Sequence, residues 1–171
     1  MGLFSTLGKS LAKIVIDSAS GIQYANKEEI NSKAEDFVLH YQHLLNKTYD
    51  IDDKLEIVMV FALTSIAVSK SDGNFSNSEV QELLDLIEGS VEGEISREEA
   101  LELIKDLNKM PITFEVLTRG AMEIQNQYGD LAIETLRKFI EYMIYSDGEV
   151  HPKELEFLKN WTNAINIQMK Y

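Results

Sequence analysis

Residues 52–79 read DDKLEIVMVFALTSIAVSKSDGNFSNSE, and this stretch decides the fold class. Residues 52–71 are apolar on nearly every side of a helix, which predicts a central, buried helix. The Asp72-Gly73 pair then predicts a tight turn, because glycine adopts positive φ freely after a helix ends. Ser76 and Glu79 have the spacing of a capping box, which starts the next helix. The stretch is therefore typical of a helix, a tight turn and a second, capped helix.

A second unit of the same kind occurs later in the chain. Residues 130–145 repeat the apolar helical run, Asp147-Gly148 repeats the turn, and Glu154 takes the place of Glu79. Pro152 suits the first position of the next helix, where its missing N–H costs nothing. A weaker copy, from Glu92-Gly93 to Glu99, lies between the two. We interpret the two strong copies as a divergent internal duplication of one helical pair.

Helical periodicity dominates the rest of the chain, and no strand pattern competes with it. Residues 28–46 place their apolar side chains on one helical face, and similar stripes recur up to residue 165. We therefore expect an all-α fold, a compact bundle of about eight helices with residues 52–71 and 130–145 packed side by side at its centre. Residues 27–171 would form this helical domain, and residues 1–26 an amphipathic helix followed by a connector.

The amino-terminal segment, residues 2–17, has an apolar face of its own. At about 100° per residue, its six apolar side chains fall within an arc of roughly 120°: Leu3, Phe4, Leu7, Leu11, Ile14 and Val15. Lys9 and Lys13 make it the one basic patch of an acidic protein. Three occupants fit this face: the core of the same chain, a second subunit, or a membrane surface. Docking on protein is the commoner of these outcomes.

Composition narrows the function. The formal net charge of −13 argues against nucleic acid as a partner, because phosphate binding needs a basic face. The chain has no cysteine, which excludes disulfides and favours the cytoplasm, with peripheral contact to the inner face of the membrane left open for residues 2–17. No nucleophile motif or phosphate-binding loop occurs among these residues. We therefore do not expect an enzyme.

The repeated turn has the spacing of the second half of an EF-hand loop, with an acid, a glycine, an apolar residue and a final glutamate. The first half is absent. The first two ligand positions would be Val68 and Lys70 in the first copy, and Met143 and Tyr145 in the second, and none of these offers a carboxylate. Neither copy is an EF-hand. Helix capping explains the glutamates, yet it does not require an acid before each glycine.

The chain resembles the TerB-like domain of tellurite-resistance proteins, which is also the amino-terminal region of the DjlA membrane co-chaperones. The resemblance is carried by residues 61–68 with Ser71-Asp72-Gly73 and Glu79, and by residues 139–150 with Glu154. It implies a compact all-helical domain whose acids bind metal. Those acids correspond here to Asp72, Glu79, Asp147 and Glu154. His151-Pro152 is followed by Lys153, so the J-domain tripeptide of the co-chaperones is absent.

These observations predict a non-enzymatic binding or scaffold protein of TerB type that acts in a stress response and has a protein partner. If the two turns approach each other, the four acids would offer up to eight oxygens to a divalent cation. Calcium, magnesium, manganese and zinc all remain open. The alternative is an acidic protein-interaction module, such as an inhibitor or immunity-like partner, with no metal role. Eleven acids against Arg97 and Lys105 between Asp72 and Asp106 supply the acidic surface that it would use.

Overall fold

The structure is a computed structural model, and it describes residues 15–16, 21–48, 50–71, 73, 75–91 and 93–169, without the side chains of 15, 16 and 167–169. This part of the chain holds seven helices and three two-residue strands. The strands are β1 (Val15–Ile16), β2 (Gln23–Tyr24) and β3 (Glu149–Val150). The helices are α1 (Lys27–Asn46), α2 (Ile51–Ser71), α3 (Asn77–Val91), α4 (Arg97–Lys109), α5 (Phe114–Tyr128), α6 (Asp130–Tyr145) and α7 (Pro152–Met169).

Helices α2 and α6 pack against each other in the main core, as the sequence predicts. Phe61 of α2 is fully buried, and its ring lies 5.3 Å from the ring of Phe139 on α6. One turn further on, the Ser65 hydroxyl donates to the Met143 sulfur at 3.8 Å. Helix α1 completes this core, because the ring of Phe37 lies 4.9 Å from that of Phe139. Burial on both sides explains why residues 52–71 carry no polar stripe.

The other side of α2 forms a second core with α3 and α4. Val58, Ala62 and Ile66 of α2 are fully buried there. Apolar side chains of α3 and α4 cover them, foremost Leu83, Leu84, Ile87, Ala100 and Ile104. Helix α3 is thus anchored by one face, and its opposite face carries acids.

The three strands correct the expectation that no strand competes with helix. They form one antiparallel sheet in the order β1-β2-β3, with Val15 opposite Tyr24 and Gln23 opposite Val150. The predicted helix over residues 2–17 is therefore wrong at Val15 and Ile16, and its remaining residues lie outside the described part. The eighth helix of the predicted bundle would fall on the same segment. Strands of two residues are too short to show period-two alternation, so the sequence gives no warning of them.

Both glycines of the repeated turns adopt the left-handed region, with φ of 93° at Gly73 and 82° at Gly148. The two turns differ in the backbone after the glycine, because Gly148 leads into β3, whereas Phe75 and Ser76 after Gly73 are in no strand. An internal duplication stays a prediction. Among the described residues, no helix has the length and apolar character needed to cross a membrane.

Candidate metal site

The turn between α6 and α7 is built around Asp147. Gly148 N–H donates back to the Tyr145 carbonyl at 3.0 Å, which closes the turn. The Asp147 side chain accepts a hydrogen bond from the Glu149 N–H at 2.9 Å, as aspartate does in tight turns. The Ala25 N–H donates to the Gly148 carbonyl at 2.9 Å, so the turn is also fixed to the residue after β2. Hydrogen bonds therefore hold the backbone on both sides of Asp147 in place.

The turn and β3 together bring three ligand-bearing side chains close to one another. Asp147 lies in the turn, Glu149 begins β3, and His151 follows directly after it. One ligand atom from each lies within 4.8 Å of the other two. The His151 Nε2 atom is 3.5 Å from a Glu149 oxygen. Two carboxylates and one imidazole at this spacing can surround a divalent cation.

Helix α3 adds negative charge beside this turn. Although the Asp147 residue is exposed as a whole, partial burial of its carboxyl raises the pKa of Asp147, and the carboxylates of Glu149 and Glu79 raise it further. The Glu149 hydrogen bond and the His151 ring lower the pKa of Asp147. Burial likewise raises the pKa of Glu82, with additional contributions from Glu79, Asp147 and Asp85. Glu79 and Glu82 of α3 are thus close enough to Asp147 for their charges to affect one another.

Glu79 forms the predicted capping box with Ser76 at the start of α3. Its Oε1 accepts from the Ser76 N–H at 3.2 Å and from the Ser76 hydroxyl at 2.9 Å. The Glu79 N–H donates to the Ser76 oxygen at 3.3 Å, which completes the capping box. After burial, the Glu79 carboxylate contributes to the raised pKa of Asp147 and to that of Glu82.

Glu154 has the corresponding place at the start of α7. Its Oε1 accepts from the His151 N–H at 3.2 Å, so it also reaches back to the helix start. The side chain is buried, with 6% of the residue exposed. Glu154 is not among the three described residues whose ligand atoms cluster, whereas Asp147 is. Asp72 lies outside the described residues.

Three acids or bases of this region are not in the predicted set. Glu149 and His151 were missed because the sequence predicts only a turn between helices, whereas the folded turn brings their ligand atoms close to that of Asp147. Ligand-type residues at three alternate positions, Asp147, Glu149 and His151, are the signal that could have identified them. Glu82 has one buried carboxylate oxygen that accepts no hydrogen bond from the residues that the structure describes. Its spacing from Glu79 places both on one helical face, but only tertiary packing reveals its burial.

Comparison with protein families matches residues 56–170 to the model described as TerB, tellurite resistance protein TerB. The chain belongs to the TerB family. The match runs from α2 to α7, so it includes Glu79, Asp147, Glu149, His151 and Glu154. Searches of curated proteins and of solved structures each found no match.

The side chains present fit a divalent cation. Carboxylate oxygens with one imidazole nitrogen suit manganese or zinc, whereas calcium and magnesium prefer oxygen alone. Burial first, and neighbouring carboxylates second, raise the pKa of Asp147 and that of Glu82, so both charged forms are disfavoured here. A bound cation would stabilise these charged forms.

Proposed function

We propose that this TerB-family protein is a non-enzymatic, cytoplasmic scaffold that binds a divalent cation at the Asp147 turn and acts in a stress response of the tellurite type. The clustering of ligand atoms from Asp147, Glu149 and His151 within 4.8 Å is the observation that supports it. Glu79 would join from α3, and Asp72 is the remaining predicted ligand. Glu154 would hold the His151 backbone in place through its hydrogen bond.

Thermal melting tests the cation site. The wild type is melted with chelator, and then with calcium, magnesium, manganese or zinc, against sodium chloride at matched ionic strength. A ligand that binds only the folded state raises its stability by about 2.7 kcal/mol at one hundred times its Kd. For a domain of this size that is a rise in Tm of roughly 5–11 °C.

Matched variants locate the site. Asp147→Asn and Glu149→Gln should each reduce the cation-dependent rise in Tm, whereas Glu156→Gln on the exposed face of α7 removes the same charge and should leave it intact. His151→Gln should weaken manganese and zinc binding and leave the weaker response to magnesium unchanged. A cation-dependent rise in Tm that is equal in all variants would show that these residues do not bind the cation.

The acidic surface supports the alternative, a protein-interaction module without metal. Helix α3 carries four acids and no basic residue. Genome context separates the two functions, because neighbouring tellurite-resistance genes favour the cation-binding scaffold and an adjacent toxin gene favours an inhibitor. A pull-down that recovers one tightly bound basic protein would favour the alternative, provided that neither chelator nor Asp147→Asn weakens the binding.

A further inference from the structure

A groove separates α1 from α3, with α6 as its floor. It encloses a cavity of about 290 Å³. The walls are apolar, formed by Phe37 and Val38 on one side, Leu83 and Leu86 on the other, and Phe139 and Tyr142 below. Val38 remains 47% exposed although it lines this cavity. Apolar side chains left open in this way mark a surface that something covers.

One end of the groove is closed and the other is open. Near the carboxyl ends of both helices, Tyr41 of α1 hydrogen-bonds Ser90 of α3 at 2.5 Å. The groove therefore opens toward the amino ends of α1 and α3. One wall runs toward that opening from Val38 to Ala34 on α1, and the other runs from Leu86 to Glu82 on α3.

The opening lies at the end of the groove toward which α1 begins. Val15 of β1 is paired with Tyr24 of β2, and α1 starts three residues after Tyr24. Because the pairing is antiparallel, Val15, to which residues 2–14 are joined, lies at the end of the sheet from which β2 leads into α1.

The charge and the length of residues 2–14 also match those of the groove. The rim carries Glu82 and Asp85 from α3. Asp85 lies 3.6 Å from Arg97, whereas Glu82 makes no ion pair within the described residues. Residues 2–14 carry Lys9 and Lys13 and no acid. As a helix, these thirteen residues would span about 20 Å at 1.5 Å per residue. The groove wall from Ala34 to Tyr41 needs about 11 Å on the same scale.

We propose that residues 2–14 of this chain fold as an amphipathic helix into the groove between α1 and α3, with Phe4 and Leu7 in the cavity and the two lysines at the acidic rim. This inference is independent of the cation site, because it uses no ligand atom of that site.

A spin label tests this placement in the full chain. The protein has no cysteine, so Ser5→Cys on the polar face of the segment carries a single nitroxide. We expect loss of amide signal intensity in residues 34–38 and 82–86, and little loss along α5. The loss should persist when the spin-labelled, isotope-labelled protein is diluted with protein that carries neither label. Loss seen only between different molecules would show a second copy in the groove and overturn the proposal.

Paired variants separate docking from nonspecific effects. In the labelled chain, Leu7→Asp should abolish the signal loss, whereas Thr6→Asp on the polar face should not. Val38→Asp in the groove should abolish it too, whereas Leu39→Asp should not, because Leu39 is 54% exposed and does not line the cavity. Leu7→Asp should also lower the Tm by roughly 3–12 °C, through loss of one buried leucine.

Two further outcomes would overturn the proposal. One is signal loss that is the same in all four variants. The other is no signal loss in buffer, together with sedimentation of the full chain on phosphatidylglycerol vesicles that Leu7→Asp abolishes. The second result would assign the segment to a membrane surface.

Discussion

At the residue scale, Glu79 both caps α3 and carries a negative charge near the cation site. Two substitutions distinguish the effect of the cap from the effect of the charge. Glutamine also serves at this position of a capping box, so Glu79→Gln should leave the Tm in chelator unchanged while shrinking the rise produced by a cation. Ser76→Ala should do the reverse, with a loss of about 1 kcal/mol, or roughly 2–4 °C, and a normal cation response. Melting curves with and without manganese measure both. Equal loss of cation response in the two variants would contradict this division.

Glu82 gives a pH dependence of unusual sign. Its pKa is raised in the folded state by burial and by Glu79, Asp147 and Asp85, so the folded protein holds the proton more tightly than the unfolded chain. The carboxylate therefore costs stability above the folded pKa. That cost disappears as the pH falls through the folded pKa toward the ordinary value of about 4.3.

In a chain of residues 21–171, which lacks Lys9 and Lys13, we therefore expect Glu82→Gln to raise the Tm at pH 7 in chelator, and the gain over the unsubstituted chain to vanish below about pH 4. Glu156→Gln, on an exposed part of α7, should show no such pH-dependent gain. The difference in Tm between the variant and the unsubstituted chain across the pH range is the measurement. A loss of stability at pH 7 would mean that the Glu82 charge is compensated in the folded protein.

At the scale of elements, the Tyr41–Ser90 hydrogen bond is the link between α1 and α3. Ser90 donates to the Leu86 carbonyl at 2.6 Å, so the Tyr41 hydroxyl is the donor to Ser90. Burial raises the pKa of Tyr41 strongly, so the phenol stays protonated at neutral pH. Tyr41→Phe and Ser90→Ala should each cost about 1 kcal/mol, and the double variant little more than either. Urea unfolding of the four proteins measures this coupling, and fully additive losses would contradict it.

The helices could be predicted from sequence because their cores lie on long, regular stripes. Residues 52–71 and 130–145 match α2 and α6 to within one residue. The sheet could not be predicted, because it depends on pairing between residues far apart in the chain, such as Gln23 with Val150. The same limit applied to the site. The Asp-Gly turn predicts Asp147 from sequence, whereas Glu149 and His151 become ligand candidates only because the folded turn brings their ligand atoms close to Asp147.

At the scale of the whole molecule, the TerB match begins at residue 56, within α2, and leaves out α1. Yet α1 contributes Phe37, Tyr41 and Leu44 to the main core, each at most 6% exposed. Burial of such a side chain is worth about 1.5–3 kcal/mol. Three of them together compare with the whole stability of a typical domain, about 5–15 kcal/mol.

The folding unit is therefore larger than the matched region. We expect a chain of residues 50–171 to lose cooperative melting and to bind a dye specific for exposed apolar surface, because Phe61 and Phe139 lose the ring of Phe37 that covers them. A chain of residues 21–171 retains α1 and should melt cooperatively, below the full chain by about the shift expected for Leu7→Asp. Circular dichroism melting of the three proteins measures this. Cooperative melting of residues 50–171 within a few degrees of residues 21–171 would show that α1 is an accessory to an autonomous TerB core.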